Sequence, residues 1–228
     1  MAALLYPPAG KAQTAMEIFN AGMVKYNARE YPAAIDAFTR ALAAKANFPE
    51  AYYYRGLSRF VQKDTAAYLD FSQAIALKPG YAKAYMYRGL VRFRGKAYTE
   101  AIADFDKAIE QKPDLEDAYF YRGGCQMELK NYEAAEKDLG KALELRPAFA
   151  GAFYTRGLTE YMQGKFEPAE RDFSRTIALD SLYSVKLFFF RGMTRISLHQ
   201  REAACQDLKK ALEAGYADAR EMILQYCR

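Results

Sequence analysis

The hydrophobic and polar positions of the chain follow a helical period, and the pattern is repeated. An apolar residue, three further residues and then a glycine recur six times, with successive glycines 34, 33, 34, 34 and 35 residues apart. These glycines are Gly22, Gly56, Gly89, Gly123, Gly157 and Gly192. Spacings of three and four residues bring side chains to one face of a helix. The chain is therefore predicted to consist of six copies of one helical unit.

A second apolar pattern begins about twelve residues after each glycine. It starts with Ala and continues with Phe or Leu four residues later. In the third copy it consists of Ala101, Phe105 and Ala108, and Pro113 follows. Small residues allow two helix axes to approach closely, and a proline ends a helix because it lacks the backbone N–H. Each unit is therefore predicted to be a hairpin of two helices.

These small, aromatic and proline positions at a 34-residue period resemble those of the tetratricopeptide repeat (TPR) family. The resemblance covers residues 15–216 and implies an all-α, right-handed α-solenoid of six helical hairpins. The chain departs from the family in having no Trp, and Ile18 occupies the bulky first-helix position of the first copy. We predict an N-terminal tail (1–14), repeats at 15–48, 49–81, 82–115, 116–149, 150–184 and 185–216, and a capping helix (217–228).

An arginine precedes the repeat glycine and an aspartate precedes the second-helix Phe or Leu in the same five copies. The first copy has Ala21 and Ala37 at these positions. This joint occurrence predicts a structural ion pair across the two helices of one repeat, although a row of arginines could instead bind an anionic ligand. The predicted pairs are Arg55 with Asp70, Arg88 with Asp104, Arg122 with Asp138, Arg156 with Asp172, and Arg191 with Asp207.

The first helices carry an apolar stripe three residues before and one residue after each glycine. The TPR resemblance implies that first helices line the concave side of the solenoid, where an exposed apolar groove would accept a peptide or an amphipathic helix. The alternative is that part of the stripe packs into the core between helices. The candidate partner-binding residues are Phe19, Met23, Tyr53, Leu57, Met86, Leu90, Phe120, Tyr154, Leu158 and Phe189.

The first helices offer few other features for binding a partner. Some TPR domains hold a C-terminal carboxylate with Lys and Asn at positions that are Phe19 and Met23 here, so that clamp is missing. The remaining first-helix cations could orient an acidic partner, but we favour pairing with neighbouring acids. They are Lys25, Arg59, Arg92 and Arg195.

Composition narrows the function classes. The net charge of +5 comes from 33 basic and 28 acidic residues spread along the chain, so no nucleic acid partner is expected. One His and three Cys are too few for a zinc cluster, and no motif assigns a nucleophile to His199. No metal, cofactor or catalytic residue is predicted. No apolar run reaches the length of a membrane span.

Cys205 and Cys227 lie at equal distances on either side of Tyr216, which marks the turn before the capping helix. Antiparallel helices would bring the two sulfurs to the same height, so a disulfide could form, whereas two buried free thiols suit a reducing cytosol. The end of the chain also resembles the closing units of some exported bacterial TPR-like proteins. The compartment is left open between cytoplasm and periplasm or export, with export favoured if the cysteines are bonded.

These observations favour a non-catalytic protein–protein interaction module, a scaffold or adaptor that binds a protein or peptide. A self-associating assembly scaffold is the main alternative, and an RNA or anionic-ligand binder that uses first-helix arginines is less favoured. The sequence leaves the oligomeric state open.

Overall fold

The computed structural model describes residues 13–179 and 184–227, and within these ranges every regular element is an α-helix. The predicted fold class, an all-α solenoid of TPR hairpins, is confirmed. Of the predicted N-terminal tail, residues 1–12 lie outside the described ranges. The helices are α1 (Ala15–Asn27), α2 (Tyr31–Ala44), α3 (Pro49–Val61), α4 (Ala67–Leu77), α5 (Ala82–Arg94), α6 (Tyr98–Gln111), α7 (Glu116–Glu128), α8 (Tyr132–Leu145), α9 (Ala150–Met162), α10 (Phe166–Leu179), α11 (Ser184–Ser197), α12 (Arg201–Glu213) and α13 (Ala219–Tyr226).

The chain forms two compact units, residues 1–91 and 92–228. In the first unit α1 packs against α2, α2 against α3, and α3 against α4. In the second unit α6 packs against α7, and each helix from α7 to α13 packs against the next one. Each unit therefore buries apolar surface mainly between sequence neighbours, as repeat proteins do.

The repeat glycines allow the two helices of a hairpin to come close. A Cβ atom added to Gly56 would lie 2.8 Å from Cε1 of Phe71, and one added to Gly157 would lie 2.9 Å from Cε1 of Phe173. Phe71 and Phe173 are fully buried. The ring of the second helix thus fills the space that a larger residue on the first helix would need.

The turn inside each repeat uses one residue in the left-handed region of backbone conformation. In repeat two this residue is Lys63, with φ of 59°, and the N–H groups of Lys63 and Asp64 donate to the carbonyls of Phe60 and Arg59. The last carbonyls of the first helix are therefore satisfied before the second helix begins. The equivalent residues in the other described turns are Arg29, Lys96, Lys130, Gly164 and His199.

Candidate functional site

Four residues of the predicted groove are buried. Tyr53, Leu57, Met86 and Leu90 expose only 5%, 6%, 6% and 7% of their surface, so their assignment to an open groove was wrong. Tyr53 is covered by Tyr81, whose ring centroid lies 4.8 Å away. In repeats two and three the apolar stripe thus turns into the core between helices, which is the alternative that the sequence left open.

The other six predicted groove residues are half-buried. Phe19 and Met23 lie on α1 in the first unit. In the second unit, Tyr154 and Leu158 lie one turn apart on α9, and Met162 continues the same row with 64% of its surface exposed. Residues four apart share a helix face, so α9 presents a continuous apolar row. The two remaining half-buried residues are Phe120 and Phe189.

A set of aromatic residues in the connections between repeats was not predicted from the sequence. Each covers the first-helix ring of the preceding repeat, with centroids 4.6 to 4.8 Å apart. Their sequence signal was an aromatic residue 24 to 26 positions after the repeat glycine. Offset or tilted aromatic pairs of this kind stabilise beyond simple area burial. The pairs are Phe19 with Phe48, Tyr53 with Tyr81, Phe120 with Phe149, and Phe189 with Tyr216.

In repeats two, four, five and six, the arginine before the repeat glycine contacts the aspartate of its own repeat. In repeat six, Arg191 donates to the two carboxylate oxygens of Asp207 from Nε and Nη2, each at 2.8 Å. Asp207 is 2% exposed, so the fork of hydrogen bonds satisfies a buried charge. The same fork joins Arg55 to Asp70, Arg122 to Asp138, and Arg156 to Asp172. Because Arg88 and Asp104 lie in different units, their pairing stays a prediction.

Three first-helix arginines, three residues after the glycine, bind the same aspartates. They donate from Nη1 at 2.6 to 2.7 Å, so they are structural partners, in line with the pairing that the sequence favoured. Repeats four and five have Gln126 and Glu160 at this position. The arginine contacts are Arg59 with Asp70, Arg92 with Asp104, and Arg195 with Asp207.

Glu160 is an unusual buried carboxyl group. It is 8% exposed, and its Oε2 atom accepts no hydrogen bond. Burial, together with the nearby carboxylates of Asp172 and Glu136, raises the pKa of Glu160 to about 7, although Arg156 and Arg171 act in the opposite direction. Repeat five therefore contains a carboxyl group that gains or loses its proton near neutral pH.

The C-terminal end is held by a covalent link. Cys205 on α12 and Cys227 after α13 form a disulfide, with their Cα atoms 5.7 Å apart. Beside it lies an open cavity of about 510 Å³, lined by Ile196, His199, Arg201, Gln225 and Tyr226. No group of three or more His, Cys, Asp or Glu residues that could hold a metal ion occurs in the part of the chain that the structure describes.

Two further observations concern the chemistry and the membrane. Cys125 is a buried free thiol, and burial raises its pKa to about 12, which keeps it protonated and unreactive. Across residues 13–179 and 184–227, no helix combines the length and apolar character that crossing a bilayer requires.

Comparison with protein families matches tetratricopeptide repeat models to residues 19–71, 65–116 and 116–149. Together these matches cover more than half of the chain, from within α1 to the end of α8. The chain belongs to the tetratricopeptide repeat family. A comparison with curated proteins finds no match.

Solved structures share this fold at low sequence identity. PilW, a widely conserved type IV pilus biogenesis factor, is 21% identical, with 93% of this chain and 99% of that chain covered and a TM-score of 0.77. Pseudomonas aeruginosa PilF is 14% identical, with 92% of this chain and 97% of that chain covered and a TM-score of 0.79. YrrB, a TPR protein with an unusual peptide-binding site, is 23% identical, with 80% of this chain and 94% of that chain covered and a TM-score of 0.69. At these identities the likeness shows the fold alone.

Proposed function

We propose that this protein is a non-catalytic interaction scaffold. The face of α9 that carries its apolar row binds an apolar peptide or helix of a partner protein. The observation that carries the proposal is the row of Tyr154, Leu158 and Met162. Met162 exposes 64% of its surface, which places a flexible apolar side chain in water at the end of a row whose other members, Tyr154 and Leu158, are half-buried. Flexible Met beside aromatic residues is a common composition of peptide-binding surfaces.

The fold and the chain's relatives support an interaction role. The chain belongs to a repeat family whose members present extended surfaces to partners, and YrrB, which shares its fold, is described as having a peptide-binding site. The disulfide between Cys205 and Cys227 supports an oxidising compartment such as the periplasm or the cell exterior.

A peptide-display selection on the full-length wild-type protein would test this proposal. We expect the selected peptides to be rich in Leu, Phe and Met, and to bind the Met162→Asp variant at least about tenfold more weakly, because a carboxylate would be desolvated against the apolar peptide. Leu69 on α4 is also 64% exposed, so Leu69→Asp is a matched control for an exposed apolar-to-acidic change.

The Leu69→Asp control shows whether a loss of peptide binding is specific to α9. Binding that survives in Leu69→Asp and is lost in Met162→Asp assigns the contact to α9. Equal affinity of the wild-type and Met162→Asp proteins for every selected peptide would rule out this face. Light scattering over a concentration series would separately reveal self-association of the scaffold.

A further inference from the structure

The row of arginines before the repeat glycines has a second set of contacts, which cross from one repeat to the previous one. Besides the fork that holds the aspartate, the Nη1 atom of four arginines reaches a polar side chain on the second helix of the preceding repeat. This side chain is a hydroxyl in three cases and a carboxylate in one. The contacts are Arg55 with Thr39 at 3.2 Å, Arg88 with Ser72 at 3.3 Å, Arg122 with Asp106 at 2.6 Å, and Arg191 with Ser174 at 3.0 Å.

Repeat five is the exception. The position that would contact Arg156 is Gly140, and a Cβ atom added to Gly140 meets nothing within 4 Å. Arg156 uses Nε and Nη2 to hold Asp172, at 2.7 and 2.9 Å, and its Nε also lies 3.9 Å from Oε1 of Glu160. Among the residues that the structure describes, it donates no hydrogen bond to the preceding repeat. The Arg156 side chain is 27% exposed, against 19% for Arg122. An oriented guanidinium edge therefore faces open space beside Gly140.

Repeat four shows which chemical group fits this space. There the carboxylate of Asp106 accepts a hydrogen bond from Nη1 of Arg122, while Nε and Nη2 of the same arginine hold Asp138. Both guanidinium groups also lie over an aromatic ring, with Arg122 at 5.5 Å from Tyr119 and Arg156 at 5.7 Å from Phe153. Arg156 is thus oriented like Arg122, but in the described part of the chain no carboxylate accepts a hydrogen bond from its Nη1 atom.

Charges of both signs surround Gly140 and Arg156. The carboxylates of Asp172, Glu160 and Glu136 act on Arg156, and two exposed cations lie on the adjoining helices. Lys137 lies one turn before Gly140 on α8, and Arg175 lies one turn after Asp172 on α10. Both are exposed, and neither forms an ion pair in the described part of the chain. Long-range attraction from such cations favours an anionic partner and speeds its encounter with the surface.

We propose that the second-helix face of repeats four and five binds an acidic segment of a partner protein. An Asp or Glu carboxylate of the partner accepts a hydrogen bond from Arg156 Nη1 in the space beside Gly140, and Lys137 and Arg175 attract the neighbouring acids of that segment. The intramolecular contact between Asp106 and Arg122 favours a carboxylate over a phosphate. This surface is separate from the apolar α9 row, so the two proposals can fail independently.

The proposal can be tested by placing a carboxylate of the protein itself in the space between Gly140 and Arg156. Gly140→Asp reproduces in repeat five the arrangement of Asp106 with Arg122, and it leaves the contact between Arg156 and Asp172 intact. The probe is a fluorescein-labelled, C-terminally amidated peptide of alternating Asp and Ser, measured by anisotropy at low salt. Because a hydrogen bond to a charged group is lost, we expect the affinity of Gly140→Asp to fall at least about tenfold.

Two further variants make the test specific. Gly140→Ala changes the helix residue without adding a carboxylate, and it should bind the peptide as tightly as the wild type. Asp106→Gly should free Nη1 of Arg122 and create a second site, so the number of bound peptides should double. Circular dichroism and melting curves show whether each variant is folded.

Three results would overturn the proposal. The first is an equal affinity of the wild-type and Gly140→Asp proteins for the peptide. The second is the absence of any binding by the wild type at low salt. The third is tighter binding of an oligothymidylate of the same charge, weakened by Gly140→Asp, which would assign the site to phosphate. Met162→Asp should leave acidic-peptide binding unchanged, whatever its effect on apolar peptides.

Discussion

Repeats six and five surround equivalent buried aspartates with different sets of charges. In repeat six, Asp207 accepts hydrogen bonds from both Arg191 and Arg195, and Arg195 also donates to Glu170 at 2.7 Å. Two cations and two carboxylates alternate along this network. The charges of repeat six therefore balance without any help from solvent or a proton.

In repeat five one of these cations is replaced by a carboxyl group. Within residues 13–179 and 184–227, Arg156 is the one arginine that holds Asp172, and Glu160 occupies the position of Arg195. Glu136, the counterpart of Glu170, is satisfied instead by Gln163 and by Lys165 at 2.7 Å. The repeat thus has one cation fewer and one acid more at its centre.

The difference shows which part of the hairpin the fold requires. Both repeats keep the fork between the arginine and the aspartate, whereas the second arginine can be lost. A carboxyl group is tolerated in its place because it can bind a proton. The fork fixes the packing of the two helices, and the charge around it can vary from one repeat to the next.

Removing the aspartate should have the largest effect, and the two repeats should differ in its size. Asp207→Ala leaves two arginines without their shared carboxylate, so we expect the free energy of unfolding to fall by about 3–5 kcal/mol. Asp172→Ala leaves one arginine and relieves the repulsion on Glu160, so its loss should be smaller. Urea denaturation measures both. Equal losses would mean that the second arginine adds nothing.

Glu160 should make repeat five sensitive to pH. Its pKa of about 7 in the folded chain lies above its ordinary value of 4.5, so folding favours the protonated form, and stability is lost as pH rises from about 4.5 through about 7. We expect the wild type to lose about 2 kcal/mol more than Glu160→Gln between pH 5 and pH 8. Denaturation at several pH values checks this, and parallel pH profiles would contradict it.

Exchanging Gly140 and its counterpart Ser174 should have opposite effects in the two repeats. Gly140→Ser supplies a hydroxyl to Arg156 and removes a glycine from a helix, so it should stabilise the chain by about 1 kcal/mol. Ser174→Gly removes the contact with Arg191 and should cost a similar amount. Thermal melting of the two variants gives the comparison. A destabilising Gly140→Ser would show that the space is needed for another reason.

The turn residues should give the smallest effect. His199 adopts a φ of 59°, which is unfavourable for a side chain, whereas the equivalent residue of repeat five is Gly164 with a φ of 73°. His199→Gly should therefore stabilise the protein by about 0.5–1 kcal/mol, and Gly164→Ala should destabilise it by a similar amount. Melting temperatures would test this pair, and shifts of the same sign would refute it.

The hairpin was predictable because its key contacts are short-range and repeated. Gly157 and Phe173 are 16 residues apart, and the equivalent glycine and Phe or Leu are 15 or 16 residues apart in every other copy. The burial of Tyr53 was not predictable in this way. Its cover, Tyr81, lies in a connection between repeats, whose path depends on how the next helix docks.

The chemistry of single repeats was harder to predict than the shared framework. The sequence gives no direct sign that Glu160 is buried, because its environment combines side chains from α8, α9 and α10. The open edge of Arg156 depends on Gly140, whose missing side chain matters only when the arginine contacts of all repeats are compared. The contacts shared by all repeats can be inferred by comparing the copies, whereas the exceptions in single repeats become visible only in the three-dimensional structure.

The disulfide has a mechanical consequence for the end of the chain. It closes a span of 22 residues, so α13 cannot swing away from α12 without chemical reduction. Reduction of the disulfide would allow α13 to move away from Leu208, Phe189 and the other apolar side chains that it packs against. The redox conditions around the protein would then decide whether the apolar side chains of the last hairpin are covered by α13 or exposed to solvent.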